Sequence, residues 1–191
     1  MTLAGRILRS LAFVALAATI SVSATKPASA QGFFDFLWSG GSRETVSFPG
    51  SYAPRQIIVS FGDRKLYWIH QRGEAISYPI AVPRQQSRWS GVTSVSQKRV
   101  NPGWTPTPEM RRENPKLPAH VPGGHPLNPL GVRALYLGSS MYRIHGTDAP
   151  WTIGTAVSKG CIRMYNEDVL DLYPRIPTGT RVTVTWQRFK S

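Results

Sequence analysis

Apolar and polar positions along this chain alternate in short runs, with no sustained helical period, so the pattern predicts strands. Ile57-Ile58-Val59-Ser60-Phe61 is the first run, closed by a turn at Gly62-Asp63-Arg64. Lys65 to Ile69 is the return strand. Gln71-Arg72-Gly73 turns again, and Ala75 to Val82 makes a third strand whose Pro79 points to an edge or a bulge. These three form a β-meander. Val132 to Leu137 and Tyr142 to His145 are further strands, the second ending on a histidine. Asn166 can cap a short helix, Glu167 to Tyr173, with Glu167 and Asp168 in its first turn and Pro174 beyond its end. Pro177 to Thr180 turns the chain into a closing strand, Arg181 to Trp186. The prediction is a mostly β domain spanning 52–187, with about six strands, one short helix, long loops and no internal repeat.

Residues 83–131 show no period and are expected to be irregular. Eight of the sixteen prolines lie between Asn101 and Gly131, which argues against regular sheet or helix there. Trp104, Met110, Leu117, Val121, Leu127 and Leu130 make the stretch too apolar for a linker. It reads as an ordered lid or wall that builds a cleft, with disorder as the competing reading. Residues 31–51 read as a short flexible N-terminal extension, mobile or docked. Its Phe33, Phe34, Phe36 and Trp38 either meet a partner or a membrane surface or fold back as a flap. Residues 188–191 are a short tail.

The first thirty residues change the picture. Arg6 and Arg9 precede an apolar run, Leu11 to Val22, too short to favour a spanning helix. Ala28-Ser29-Ala30 is a small-residue cleavage site, met more fully than Val22-Ser23-Ala24. Residues 1–30 are therefore expected to be a cleavable signal peptide, leaving an exported chain from Gln31 with no transmembrane anchor. An uncleaved anchor is the alternative, but no stop-transfer pattern follows. No cysteine lies near the cleavage site, which excludes a lipoprotein.

Composition fits a globular domain: 191 residues, 41% hydrophobic and 17% charged. The formal charge of +13 falls to +10 without residues 1–30, which hold Arg6, Arg9 and Lys26 and no acid. For an exported chain the available polyanions are membrane lipids and envelope polymers, not nucleic acid; a basic surface serving only solubility is the alternative. Export also narrows the reading of Cys161, the one cysteine. It is an intermolecular bridge, an inert buried thiol or a reactive thiol.

Its neighbours favour reactivity. His145 lies sixteen residues upstream, and a thiol needs a base to become a good nucleophile. Gly160 lets the backbone approach a substrate, and the amides around Gly160 and Cys161 can face an oxyanion. The other ring nitrogen of His145 needs an acceptor: the carbonyl of Gly146 or Thr147, or the Asp148 carboxylate. Arg163 adds positive potential and a grip for a carboxylate. Ser158 either bonds near the thiol or shapes the turn. Trp104, Tyr142 and Trp151 line the cleft or pack in the core. His120 and His125 could pair on a metal but lack a third ligand nearby, and His70 sits in a hairpin turn.

The segment His145-Gly-Thr … Ser158-Lys159-Gly160-Cys161-Ile162-Arg163 resembles the signature of the L,D-transpeptidase catalytic-domain family, the cysteine transpeptidases that cross-link peptidoglycan. Asn128 to Leu137, Pro54 to Val82 and Trp104 to Met110 carry the likeness across 52–187. The resemblance implies a β-sandwich or barrel-like domain with a capping loop, in the periplasm and without a metal or organic cofactor. It implies Cys161 as nucleophile and His145 as general base, then acid. The substrate would be a peptidoglycan tetrapeptide stem that loses its terminal D-alanine. The acceptor would be a diaminopimelate amine, giving a 3–3 cross-link, an amine of an envelope protein, or water, giving carboxypeptidation. A non-catalytic wall-binding protein on the same fold is the alternative. Carbapenems would acylate the same thiol. Arg163, Ser158, Lys159, Tyr142 and Trp151 would contact substrate. Lys159 departs from the pattern, since many members carry histidine there; the resemblance leaves it to hold a substrate carboxylate or favour the thiolate.

Overall fold

The meander is present. In the computed structural model, which describes residues 43–189, β2 (Gln56–Ser60), β3 (Lys65–Gln71) and β4 (Glu74–Pro83) run antiparallel in sequence order. The expected signal peptide and the aromatic residues at 33–38 lie outside the described residues. All five positions of β2 are buried because both faces of this sheet are covered. Ile57 and Val59 join Leu66, Tyr78 and Ile80 in the main core. Ile58 joins Tyr67, Ile69 and Ala75 in a second cluster that Phe48 completes, with Tyr52 and Phe189 against it.

Of the two readings of the N-terminal extension, mobile or docked, residues 43–51 take the second: β1 (Glu44–Ser47) pairs antiparallel with β4, and the Phe48 ring packs 4.9 Å from that of Tyr67. The C-terminal segment docks on the same face: the Phe189 N–H donates to Asp63 Oδ2 at 2.8 Å.

A correction falls on residues 83–131. β5 (Gly91–Val100) is a ten-residue strand inside the stretch expected to be irregular. It escapes a hydrophobic reading because Val95 is its one buried residue; Thr, Ser, Gln, Lys and Arg fill most of the rest. Its ladder holds it instead. The first half pairs with β10 (Arg181–Thr185) and the second with β6 (Arg133–Leu137).

β10 also runs parallel to β2, and β6 pairs with β7 (Arg143–His145). β8 (Ala156–Ser158) lies parallel to the end of β4, and β9 (Ile162–Met164) lies parallel to β7. β9 then meets β4 at Ile80↔Met164 and closes the sheet into a barrel. Pro79 sits where β4 leaves β3 for β9, so its missing N–H falls at the hand-over.

Two helices complete the domain. α1 (Pro108–Glu113) lies in the proline-rich loop, where no helix was expected. Thr107 caps it, accepting from the Met110 N–H at 3.2 Å, and Pro108 takes the first turn, where no N–H is needed. The loop is pinned at both ends of its span. Trp104 and Val121 exchange backbone hydrogen bonds at 2.8 and 2.9 Å, and buried Asn128 donates to the Pro102 and Pro122 carbonyls. α2 (Asn166–Arg175) buries Val169 and Leu172, with Ile176 just beyond its end, against the barrel core. It is longer than predicted. Asn166 is its first residue and Tyr165 its cap, and Pro174 lies in the last turn.

Candidate active site

The parallel pairing of β7 and β9 sets the geometry. Ile144 opposes Ile162 and His145 opposes Arg163. Both isoleucines are fully buried in the barrel core. Side chains alternate along a strand, so Arg143, His145, Cys161 and Arg163 all face away from that core. The proline-rich loop lies over this face. Trp104, Thr107, Met110, Pro129 and Leu130 from the loop, with those four residues, Met141, Tyr142, Ser158 and Lys159, enclose a cavity of about 130 Å³. The wall-or-lid expectation thus holds, and Cys161 and His145 share one cleft.

The turn before Cys161 is held from within and from without. Ser158 Oγ donates to the Cys161 carbonyl at 2.5 Å and accepts from the Gly160 N–H at 3.4 Å, so Ser158 shapes the turn. The Gly160 N–H thus has Ser158 Oγ as its partner. Gly160 has φ +123°, and a Cβ there would lie 2.1 Å from Tyr142 Cε1. The Tyr142 ring stacks on Trp89 at 4.8 Å, and Trp89 Nε1 donates to the Gly160 carbonyl at 3.0 Å.

His145 is 3% exposed, and its Nδ1 lies 2.6 Å from the Gly146 carbonyl oxygen. A carbonyl can only accept, so Nδ1 carries the proton and Nε2 keeps its lone pair. Of the three acceptors open from sequence, Gly146 is the one used. Thr147 is buried, with its N–H on Asn166 Oδ1 and its Oγ1 accepting from the Ala149 N–H. Asp148 supplies negative charge near Arg163.

Burial and charge set the resting protonation. Burial, then the positive charges of Arg163 and Arg143, lower the His145 pKa to about 3, against the Gly146 hydrogen bond. Burial raises the Cys161 thiol above its ordinary value, while Arg143 and Arg163 oppose that rise. Both shifts favour a neutral thiol and a neutral imidazole. Because the thiol pKa is raised, thiolate appears only at higher pH. Alkylation of Cys161 by iodoacetamide between about pH 6 and about pH 10 is expected to climb with its midpoint above the ordinary thiol value of about 8.5. A rate already level at neutral pH would instead show a thiolate–imidazolium pair.

Lys159 is engaged by the lid. Its Nζ pairs with Glu113 and lies 4.0 Å from Glu109, both on α1, and Lys159 holds the Glu113 carboxyl below its usual range. Trp151 is 78% exposed on a single turn, Pro150–Thr152, and is not among the cavity walls. Among the described residues no group of three or more His, Cys, Asp or Glu could hold a metal; His120 Nδ1 meets Thr105 Oγ1 and His125 Nδ1 accepts from the Leu127 N–H. Sequence reasoning missed Arg143 and the hydrogen bonds that Asn166 makes to Val132 and Thr147. The first was signalled by its place two residues before His145 in one strand. Those hydrogen bonds join segments distant in sequence and left no local signal.

The sequence model of the YkuD family, the L,D-transpeptidase catalytic domain, matches residues 54–184. The chain is 40% identical over 166 residues to the probable L,D-transpeptidase ErfK/SrfK of Escherichia coli K12, covering 81% of this chain and 53% of that protein. It thus spans about half the length of that relative. Among solved structures it resembles a Brucella melitensis protein named a probable carnitine operon oxidoreductase, caia, with 42% identity, TM-score 0.51, and 76% and 94% of the two chains covered. It also resembles the catalytic domain of an Enterococcus faecium L,D-transpeptidase, with 18% identity, TM-score 0.54, and 71% and 100% covered. At that identity the second likeness speaks for the fold.

Proposed function

The chain belongs to the L,D-transpeptidase catalytic-domain family, and from that premise we propose that Cys161 is acylated by a peptidoglycan tetrapeptide stem and passes the acyl group to an amine. The observation that carries this reading is the placement of Cys161 and His145 on one face of the barrel wall, under the proline-rich loop. The Cys161 sulfur attacks the carbonyl of the third stem residue while its proton moves to His145 Nε2. The Cys161 N–H is the oxyanion donor, since the Gly160 N–H faces Ser158. His145 then hands the proton to the departing D-alanine amine, leaving a thioester. An incoming amine loses its proton to His145 as it displaces the sulfur. Arg143 and Arg163 give the cleft a positive wall suited to the carboxylates of a stem peptide. The substrate places this reaction in the periplasm, where the leader-like pattern at 1–30 would deliver the chain.

The test incubates the protein from Gln31 onward with disaccharide-tetrapeptide and follows products by mass spectrometry. Release of D-alanine with cross-linked dimers is the expected outcome. Tripeptide monomer alone would assign water as the acceptor. No turnover, together with no mass adduct from a carbapenem, would leave only a binding protein and sink the proposal.

A further inference from the structure

Asn166 stands at the first turn of α2, but its side chain is spent elsewhere. Oδ1 accepts from the Thr147 N–H at 3.1 Å and the Val132 N–H at 3.4 Å; Nδ2 donates to the Thr147 carbonyl at 2.9 Å. Two N–H groups on one side and a carbonyl on the other fix which way the amide points. Thr147 N–H and Gly146 C=O belong to the same planar trans peptide, so they point in opposite directions. Holding the N–H on Asn166 therefore aims the Gly146 oxygen the other way, where it meets His145 Nδ1 at 2.6 Å.

A second observation shows that the surroundings are built for this side chain. A Cβ on Gly146 would lie 2.2 Å from Asn166 Oδ1, and one on Gly131 would lie 2.3 Å from it. Gly131 also has φ +59°. Both glycines leave room that Asn166 fills, and their chain segments converge on it.

We propose that Asn166 is a positioning residue for the histidine: through the Gly146–Thr147 peptide it fixes the ring orientation and the Nδ1-protonated tautomer of His145. The inference rests on His145 being the base. Polarising the peptide N–H also makes the Gly146 carbonyl a better acceptor, so the two hydrogen bonds support each other. An aspartate keeps the acceptor for Thr147 N–H but sets a carboxylate oxygen against the Thr147 carbonyl. An alanine removes both contacts and leaves the peptide free to tilt.

The test has two readouts. The first is ring ¹⁵N NMR of His145, which needs no substrate. Wild type is expected to show the Nδ1-protonated tautomer alone, Asn166→Ala a mixture. The second is acylation by meropenem followed by intact mass. Asn166→Ala is expected to lower the maximal rate about 10²-fold while the half-saturating concentration stays put. Asn166→Asp, which fills the same space, is expected to fold normally and lose less. The proposal is overturned if Asn166→Ala keeps the wild-type tautomer, or if its rate drops only in step with the folded fraction. If wild type itself fails to acylate, the function proposed for the site fails, and the NMR comparison still decides the role of Asn166.

Discussion

Cys161→Ala is expected to give a folded protein that forms no acyl-enzyme and releases no D-alanine, and His145→Ala one that acylates about 10³- to 10⁴-fold more slowly. The first effect is absolute because the chain has no other cysteine to substitute. It should not disturb the fold, because the Cys161 side chain faces the cleft and is absent from the barrel core, which Ile162 and Met164 fill from the strand that follows it. The second effect is partial, since the cleft, the cationic wall and the oxyanion donor survive. Removing the imidazole leaves the Gly146 carbonyl without its donor in a buried place, at a cost of about 1–3 kcal/mol. His145→Ala is thus expected to melt somewhat earlier, and Cys161→Ala near wild type. Circular dichroism melts and intact mass after carbapenem treatment check both. A carbapenem adduct on Cys161→Ala would place the nucleophile elsewhere, and near-wild-type acylation by His145→Ala would free that residue from the base role.

What the sequence made legible follows from what each element needs. β2, β3, β4, β6, β7 and β10 carry buried apolar residues at strand spacing, and the alternation found them. β5 is held by its two neighbours' backbones and shows almost no apolar period, so it was read as loop. β8 and β9 flank the short turn before Cys161 and were read for its chemistry, not as strands, although β9 closes the barrel and presents Cys161 at its edge. The site divides the same way. Cys161 and His145 were picked out by their chemistry and by the family resemblance, and the fold brings them to one cleft. Asn166 was read as a helix cap because asparagine before a helix is a local signal, whereas its partners at 132 and 147 lie far away in sequence. Lys159 was read as holding a substrate carboxylate or favouring the thiolate; its pairing with α1 left no local signal, because the acids lie forty-six and fifty residues upstream.

Gly160→Ala is expected to cost about 3–5 kcal/mol and, in a domain of this size, to lower the melting temperature by about 10 °C. Two penalties combine. A φ of +123° lies outside the left-handed region that L residues tolerate. The added Cβ would also sit 2.1 Å from Tyr142 Cε1 and 2.6 Å from Cδ1, far inside contact distance. The ring cannot withdraw easily, because Trp89 stacks on it with planes 8° apart and is itself tied to the Gly160 carbonyl. Relief must then come from the turn that carries Cys161, and a shift of about 1 Å there is enough to slow acylation about 10²-fold. Gly91→Ala separates the two penalties. Gly91 has φ +140° with nothing within 4 Å of its Cβ position, so it should report the backbone strain alone. Tyr142→Ala supplies the other arm: with the ring gone, Gly160→Ala should cost no more than Gly91→Ala does. A Gly160→Ala cost unchanged by removal of the ring would show that Tyr142 does not define the turn, and that the glycine is needed for its backbone conformation only.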